Sequence, residues 1–296
     1  MKIGTRGSAL ALWQANHVKD RLATIGIRAE LVVIKTKGDK ILDVPLAQIG
    51  GKGLFVKEIE EALADRRVDL AVHSMKDVPA ELGNGLVLSA FSTREDPHDV
   101  LVGRRWGDLP AGARLGTSSV RRVCQLRSVR PDLEFVPLRG NVDTRLRKLD
   151  EGTLHAIVLA AAGLRRLGHA DRIAEVLPPS LCLPAIGQGM LALETRADDR
   201  DTIDAIRRTL HDADAATAAD AERAYLLRLH GGCQTPLACY ARLEGETLVV
   251  DGMVGSLDGS EILRDRLSGA RADAASLGRA LAERLLARGA DRLLGL

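Results

Sequence analysis

Short apolar runs alternate with helix-like segments along the first two-thirds of the chain. The runs are rich in β-branched residues or leucine, as buried strands are, and they cover residues 29–36, 69–75, 85–91 and 156–163. Between them, a segment such as 53–67 carries apolar residues at helical spacing: Phe55, Ile59, Ala62 and Leu63. Alternation of this kind is typical of the α/β class.

The pattern changes in two proline-bearing polar stretches and again near residues 211–217. The stretches at 92–99 and 177–189 predict crossings between two α/β modules. Beyond 217 we expect a helix to Leu229, then three strands with turns at Glu244-Gly245 and Asp258-Gly259. A last helix follows, with Leu277, Leu281 and Leu285 on one stripe. The end of the chain therefore predicts a small α+β domain.

Composition indicates an ordinary globular protein with two or three domains. The chain has 296 residues, of which 46% are hydrophobic. The apolar run 156–164 is about half of what a membrane span needs, and the opening MKIGTRGSALALW has too short an apolar stretch for a secretory signal. We therefore expect a cytoplasmic protein without a membrane partner, in which four cysteines do not form a disulfide framework.

The net charge of +2 conceals a basic block at residues 104–148, which holds eleven basic and four acidic side chains. Such a block attracts anions. Nucleic acid is one candidate partner, but the chain has only two Trp, two Tyr and three Phe for base stacking, and it contains no nucleic-acid motif. The composition favours a small polyanion, and we expect no nucleic-acid partner.

One sequence device occurs twice. Residues 3–10, IGTRGSAL, and residues 115–122, LGTSSVRR, each run from a strand through Gly-Thr to a serine that opens a helix, with arginine close by. Backbone N–H groups, hydroxyls and guanidinium groups at such a turn favour a carboxylate or phosphate. Each serine alone could equally be a helix cap. The recurrence favours a ligand between the modules, at the carboxyl ends of their strands.

Two further segments carry candidate chemistry. In LAVHSMKDVP, residues 70–79, a buried strand ends at His73, Ser74, Lys76 and Asp77, which is where α/β enzymes keep catalytic groups. The alternative interpretation is an exposed Lys-Asp turn, with the His73 side chain hydrogen-bonded inside the core. Cys233 follows two glycines on a bend, although an inert buried thiol is the other interpretation. His230, Cys233 and Cys239 fit no standard zinc spacing, so we expect no metal.

Six motifs together give the chain a family resemblance. HSMKDVP, GTSSVRR, LRGNVDTRL, AAAGLRRLG, LPAIGQG and AERAYLLRLHGGCQTP occur in this order between residues 73 and 236, and the likeness extends from Ile3 to the final helix. In this the sequence resembles the hydroxymethylbilane synthase family, also called porphobilinogen deaminase. The resemblance implies head-to-tail joining of four porphobilinogen molecules with loss of ammonia. It also implies growth of the chain on a dipyrromethane cofactor bound by thioether to Cys233.

The resemblance also implies the site residues. Asp77 is expected to be the catalytic carboxylate, which offsets the cation that develops as ammonia leaves. The expected cofactor-binding residues are Lys76, Asp77, Thr117, Ser119, Arg121, Arg122, Arg139 and Cys233. The expected substrate-binding residues are Arg6, Ser8, Lys52, Phe55, Arg145, Arg166 and Gln188, with Lys52 and Phe55 in a lid.

The implied fold is two periplasmic-binding-protein-like α/β domains in a bilobal arrangement, plus a small C-terminal α+β domain with a three-stranded antiparallel sheet. Domain 1 is expected over 1–92 and 190–210, domain 2 over 98–186 and domain 3 over 214–296. No heptad pattern suggests a partner chain, so we expect a monomer. Two other functions stay open on the residues alone, an anion-binding module of the solute-binding kind and a basic nucleic-acid-binding protein.

Overall fold

The chain passes between two structural units in the computed structural model, which describes residues 1–36, 56–232 and 234–296. The first unit consists of Met1–Glu95 and Met190–Ala216, and the second of Asp96–Gly189 and Thr217–Leu296. The predicted crossings at 92–99 and 177–189 contain the first two of these boundaries. The division into three domains stays a prediction, because the second unit includes both the predicted domain 2 and most of the predicted domain 3.

Strands and helices of the described residues are numbered in chain order. The strands are β1 Lys2–Thr5, β2 Glu30–Val33, β3 Leu70–Ser74, β4 Leu86–Phe91, β5 Asp99–Gly103, β6 Arg114–Gly116, β7 Glu134–Val136, β8 Ala156–Ala160, β9 Ile173–Val176, β10 Leu191–Arg196, β11 Leu237–Glu244, β12 Thr247–Gly255 and β13 Ile262–Ala270. The α-helices are α1 Ala9–Ala23, α2 Lys57–Ala64, α3 Val120–Val129, α4 Val142–Asp150, α5 Ala161–Arg166, α6 Arg200–Leu210, α7 Ala213–Arg228, α8 Ala274–Leu286 and α9 Ala290–Leu294.

The first unit is built on a five-stranded sheet in the order β2-β1-β3-β10-β4. β1 is parallel to β2 and β3, whereas β10 is antiparallel to β3 and β4. On one face, Val18 and Leu22 of α1 and Ile206 of α6 pack in a core with Val72. On the other face, Ile59, Ala62 and Leu63 of α2 are buried against Ala71, as their helical spacing predicts.

The second unit repeats this topology in a sheet of order β7-β6-β8-β5-β9. β6 is parallel to β7 and β8, and β5 is antiparallel to β8 and β9. Leu146 and Leu149 of α4 pack in the core on one face, and Leu126 of α3 packs in the core on the other. In each sheet, therefore, three parallel strands direct their carboxyl ends toward one edge, and the antiparallel strand comes from a chain crossing.

The second unit also contains a three-stranded antiparallel sheet in the order β11-β12-β13. Tyr225 of α7 is fully buried, and its hydroxyl donates to the carbonyl oxygen of Met253 in β12 at 3.1 Å. Gly278 of α8 lies so close to α7 that an added Cβ would stand 2.0 Å from the Ala221 carbonyl oxygen, so only glycine permits this helix contact.

These observations confirm the predicted α/β class with a small antiparallel sheet. They also confirm the three C-terminal strands and their turns, where Gly245 and Gly259 have positive φ. Among the helices of the described ranges, none has the length and apolar character needed to cross a membrane.

Candidate active site

Arg6 and Ser8 lie in the turn that joins β1 to α1. The buried Thr5 fixes this turn, because its Oγ1 donates to the Ala11 carbonyl oxygen at 3.1 Å. Ser8 is the N-cap of α1, and its Oγ accepts a hydrogen bond from the Ala11 N–H at 3.3 Å. Ser8 is therefore a helix cap, and the cap places a hydroxyl beside Arg6 at a helix start that favours anions.

Asp77 ends a 3₁₀ turn, Met75–Asp77, that directly follows β3. The Met75 N–H donates to the Met190 carbonyl oxygen at 3.1 Å, and the Val78 N–H returns to the Met75 carbonyl oxygen at 3.0 Å. Asp77 is half-buried, as is Lys76 in the same turn. Within residues 1–36, 56–232 and 234–296, the Asp77 carboxylate has no hydrogen bond or ion pair. The Asp77 carboxylate is therefore fixed in position at the end of β3 and has no counter-charge among the described residues.

These two segments meet in a small cavity of about 60 Å³ in the first unit. Its lining includes Arg6, Ser8, Leu10, Ala11, Gln14, Val56, Val72, His73, Ser74 and Asp77. Three residues predicted from sequence, Arg6, Ser8 and Asp77, thus line one pocket. A guanidinium and a hydroxyl can bind a ligand carboxylate there, while the Asp77 carboxylate can accept an N–H and stabilise a cation.

The same pocket contains Gln14, which was not predicted, and His73, which was named from sequence but without its partner Glu194. Gln14 is 2% exposed, and its Nε2 donates to Ser74 Oγ at 2.8 Å. Gln14 could have been found from sequence, because it is a polar residue beside Ala15 and Val18 on the buried stripe of α1. His73 Nε2 lies 2.9 Å from Glu194 Oε2 in a pair whose side chains are 5% and 0% exposed. No local sequence pattern predicts that Glu194 pairs with His73, because Glu194 belongs to β10, far along the chain.

In the second unit, four more of the predicted residues follow the carboxyl ends of the three parallel strands. Thr117 and Ser119 follow β6, Arg139 follows β7, and Arg166 ends α5, which directly follows β8. The carboxyl ends of parallel strands meet at one edge, so these residues are brought to the same edge of the sheet. This is the arrangement that Arg6 and Asp77 have in the first unit.

The hydroxyl of Ser119 differs from that of Ser8. Ser119 is the N-cap of α3, but its side chain makes no capping hydrogen bond. Instead, the Ser119 N–H donates to Oγ1 of the buried Thr117 at 3.2 Å. The half-buried Ser119 hydroxyl is therefore not committed to the helix end.

Arg139, Arg145 and Arg166 are half-buried cations on this part of the second unit. Arg145 Nε donates to the Gly140 carbonyl oxygen at 2.8 Å, and Arg166 Nη2 donates to the Gly189 carbonyl oxygen at 2.6 Å. These backbone contacts orient the guanidinium groups of Arg145 and Arg166, whose planar N–H fork suits a carboxylate.

Arg121 and Arg122 have a different environment, because both are buried against Asp99 at the start of β5. Arg121 Nη1 lies 2.6 Å from Asp99 Oδ2, and Arg122 Nη2 lies 2.7 Å from Asp99 Oδ1. The two arginines also donate to the carbonyl oxygens of Leu183 at 2.6 Å and Val158 at 2.8 Å. Their guanidinium groups thus hold the start of α3 against the sheet.

Gln188 completes this buried cluster. It is 1% exposed, and its Nε2 donates to the Pro97 carbonyl oxygen at 2.6 Å and to Asp99 Oδ1 at 3.0 Å. Burial by itself raises the pKa of Asp99, but the charges of Arg121 and Arg122 outweigh it and hold that pKa well below its usual range. We call Asp99, Arg121, Arg122 and Gln188 the Asp99 cluster.

Comparison with known proteins places these features in one family. Residues 1–204 match the family model described as "Porphobilinogen deaminase, dipyromethane cofactor binding domain", and residues 216–287 match "Porphobilinogen deaminase, C-terminal domain". The chain belongs to the porphobilinogen deaminase family. This confirms the resemblance found in the sequence motifs.

Curated relatives match the chain nearly end to end. A porphobilinogen deaminase of Syntrophotalea carbinolica is 57% identical over 299 residues, covering 99% of this chain and 95% of its own length. One of Geobacter metallireducens is 55% identical over 298 residues, covering 99% and 93%. Among solved structures, a periplasmic substrate-binding protein of an ABC transporter from Coxiella burnetii covers 75% of this chain and 96% of its own at 15% identity, with a TM-score of 0.44.

The described residues fit the dipyrromethane group that the porphobilinogen deaminase family model names. Such a group carries acetate and propionate carboxylates and pyrrole N–H donors. The first-unit pocket offers Arg6 and Ser8 to a carboxylate and the unpaired Asp77 carboxylate to an N–H. Cys233, Lys52 and Phe55, which were also predicted as site residues, lie outside the described residues.

Proposed function

We propose that this chain is a hydroxymethylbilane synthase. It condenses four porphobilinogen molecules head to tail, with loss of ammonia from each, and releases the linear tetrapyrrole by hydrolysis. The dipyrromethane group, bound covalently through Cys233, supplies the nucleophilic pyrrole carbon on which the product is assembled. Family membership over almost the full chain supports the activity.

Asp77 is the catalytic carboxylate of this proposal, and its geometry is the observation that carries the assignment. It is half-buried, it lines the pocket, and no described residue neutralises it. A fixed negative charge in such a place stabilises the cation that develops on porphobilinogen as the C–N bond breaks. The same carboxylate accepts a hydrogen bond from the pyrrole N–H and so orients the ring.

Cationic and hydroxyl groups bind the carboxylates of the pyrroles. Arg6 and Ser8 act in the first unit, and Lys76 lies in the Asp77 turn. In the second unit we assign this work to Thr117, Ser119, Arg139, Arg145 and Arg166. Arg121, Arg122 and Gln188 act through the Asp99 cluster, which holds Thr117 and Ser119 at the start of α3, and direct binding by these three stays a prediction.

The intact mass of the purified protein, together with its products, tests the activity. We expect a mass excess equal to two linked pyrroles, and ammonia and a linear tetrapyrrole from porphobilinogen. A solute-binding protein would bind porphobilinogen without releasing ammonia, and a nucleic-acid-binding protein would be retained on DNA at physiological salt. Wild-type protein that carries no pyrrole mass and leaves porphobilinogen unchanged would contradict the proposal.

Asp77→Asn tests the catalytic carboxylate, because the amide keeps the shape and removes the charge. We expect ammonia release in a single turnover to slow by about 10² to 10³, the usual cost of one preorganised electrostatic partner. Asp77→Glu keeps the charge but displaces it, so reduced turnover should persist. Asp65→Asn, at an exposed position of the same unit, is the matched control. Ammonia release by Asp77→Asn within about threefold of wild type would remove Asp77 from the mechanism.

We further propose that the protein works as a monomer in the cytoplasm. Cys124, Cys182 and Cys239 are free thiols, which suits a reducing compartment. Sedimentation of the purified protein at a single-chain mass of 31.7 kDa is the expected result.

A further inference from the structure

A buried pair of side chains joins the pocket to the interior of the first unit. β10 runs antiparallel to β3 with Ala192 opposite His73 and Glu194 opposite Ala71. Because residues two apart on a strand share a face, His73 and Glu194 lie diagonally on the same face of the sheet. Their 2.9 Å contact is almost fully shielded from solvent, and His73 also lines the pocket that contains Asp77.

A third ionisable group, Glu60, continues this line toward solvent. Glu60 lies on α2, the helix that covers this face of the sheet, and it is half-buried. Its Oε1 accepts a hydrogen bond from the Gly83 N–H at 3.2 Å. Burial, and then the negative charge of Glu194, raise the pKa of Glu60, whereas a charge on His73 lowers it. The three side chains are therefore near enough to influence one another's protonation.

The arrangement is costly as a purely structural device. Glu194 is fully buried, and within the described part of the chain its Oε1 accepts no hydrogen bond. A buried carboxylate with an unsatisfied oxygen destabilises a fold relative to an apolar side chain of similar size. The Glu194 Oε1 atom has an open acceptor site beside an imidazole and a second carboxylate. Such a row of ionisable groups suits proton transfer.

We propose that His73 accepts the proton released at each condensation step, and that Glu194 and Glu60 position it and carry the proton to solvent. This rests on the proposed synthase function. When the new C–C bond forms, the attacking ring carbon loses its hydrogen as a proton, and the C–H electron pair restores the aromatic ring. Nδ1 of His73 takes that proton, and Nε2 passes its own proton to Glu194. Ammonia leaves separately with the C–N electron pair.

Among the described residues, four elements of the first unit bring ionisable groups to His73 or to the pocket that it lines. Glu194 lies on β10, Glu60 on α2, Asp77 in the turn after β3, and Arg6 in the turn before α1. Asp77 keeps its charge throughout as the partner of the cation. His73 touches the pocket and is the catalytic residue of this proposal, while Glu194 is a positioning residue.

Nuclear magnetic resonance of the full-length protein labelled with ¹⁵N-histidine tests the pair without any turnover. The His73 signals are assigned by their loss in His73→Gln. We expect wild-type His73 to carry its neutral-state proton on Nε2. Glu194→Gln replaces the carboxylate that accepts the Nε2 proton with a neutral amide, so the ¹⁵N chemical shifts of His73 should change. Glu283→Gln, the same change in an exposed pair with Arg228, should leave the ¹⁵N chemical shifts of His73 unchanged.

Single-turnover condensation of porphobilinogen tests the proton step. His73→Gln should slow C–C bond formation by about 100-fold or more, and Glu194→Gln should slow it to a smaller extent, because Nε2 then has no carboxylate to receive its proton. Glu60→Gln, at a half-buried position, should slow the step less than Glu194→Gln does. Unchanged ¹⁵N chemical shifts of His73 in Glu194→Gln, or condensation at the wild-type rate by His73→Gln, would overturn the proposal. Wild-type protein that binds porphobilinogen but never condenses it would instead contradict the synthase function.

Discussion

Asp99→Asn removes the single negative charge of the Asp99 cluster. The Asp99 oxygens accept hydrogen bonds from Arg121 at 2.6 and 3.2 Å, from Arg122 at 2.7 and 3.0 Å, and from Gln188 at 3.0 Å. Asparagine retains one acceptor oxygen and presents an N–H₂ group toward two guanidinium ions. Two buried positive charges are then left without a counter-ion.

The structure sets the size of the effect. Asp99 is fully buried, and the side chains of Arg121 and Arg122 are 7% and 6% exposed, so water cannot replace the lost carboxylate. Removing one partner of a buried ion pair costs about 3 to 5 kcal/mol because an uncompensated charge remains. With two cations sharing the carboxylate, we expect the free energy of unfolding of the second unit to fall by an amount near the upper end of that range.

The interaction of Asp99 with the two arginines also makes the stability of the second unit depend on pH. The folded pKa of Asp99 lies well below its usual range, so the unfolded chain binds a proton more readily than the folded chain does. The stabilisation is complete above the unfolded pKa of about 3.9 and declines as the pH falls below it. Asp99→Asn should lose this part of the acid sensitivity and should be less stable than wild type at neutral pH.

Urea unfolding followed by tryptophan fluorescence measures both effects. The chain has two tryptophans, Trp13 in the first unit and Trp106 in the second, so a Trp13→Phe background reports on the second unit alone. Asp150→Asn, which breaks the exposed pair with Arg172, is the matched control and should cost about 0.2 to 1 kcal/mol. If Asp99→Asn were no more destabilising than this control at pH 7, the buried cluster would not stabilise the unit as argued.

Three further predictions concern cysteines and binding arginines. Cys233→Ser should yield protein without the pyrrole mass, whereas Cys239→Ser should keep it; a pyrrole adduct on Cys233→Ser would exclude Cys233 as the attachment site. Arg145→Ala removes a charge-assisted hydrogen-bond partner of a pyrrole carboxylate, worth about 1.5 to 3 kcal/mol, so kcat/KM should fall by more than tenfold. Arg279→Ala on α8 should keep kcat/KM near the wild-type value. Equal values for the two variants would exclude a binding role for Arg145. Burial raises the pKa of Cys124 to about 11, and burial with the charge of Asp99 raises the pKa of Cys182 to about 12. Iodoacetamide at pH 8 should therefore modify neither thiol in the native protein and both thiols in urea. Rapid labelling of either thiol in the native protein would contradict this.

Local patterns were sufficient for most of the fold. The apolar runs became β2, β3, β4 and β8, and the helical spacing of Ile59, Ala62 and Leu63 became α2. The run at 156–163 divides after Ala160, where β8 ends and α5 begins, and the helix-favouring Ala161 and Ala162 were the signal for this change. β5 was missed because its first residue belongs to a polar stretch that predicted only a crossing.

The candidate site was predictable where one strand and its following turn supply the residues. Arg6, Ser8 and Asp77 each directly follow a strand, so parallel pairing alone brings them together. Arg121 and Arg122 were predicted to face an anion, and their partner Asp99 is invisible in sequence because it depends on β5 lying beside β8. Glu194 is 121 residues from His73, and only the register of β10 joins them.

The position of β10 determines when the first unit can be completed during synthesis. β10 lies inside its sheet, between β3 and β4, yet it follows the whole stretch 96–189 in the chain. When the ribosome has delivered residues 1–95, β3 and β4 lack the strand that joins them, and their unpaired edges are open to other chains. The intervening segment must emerge before β10 can close the gap. The amino-terminal unit therefore cannot complete its sheet until about a hundred further residues have been synthesised, and its open strand edges are exposed to aggregation during that time.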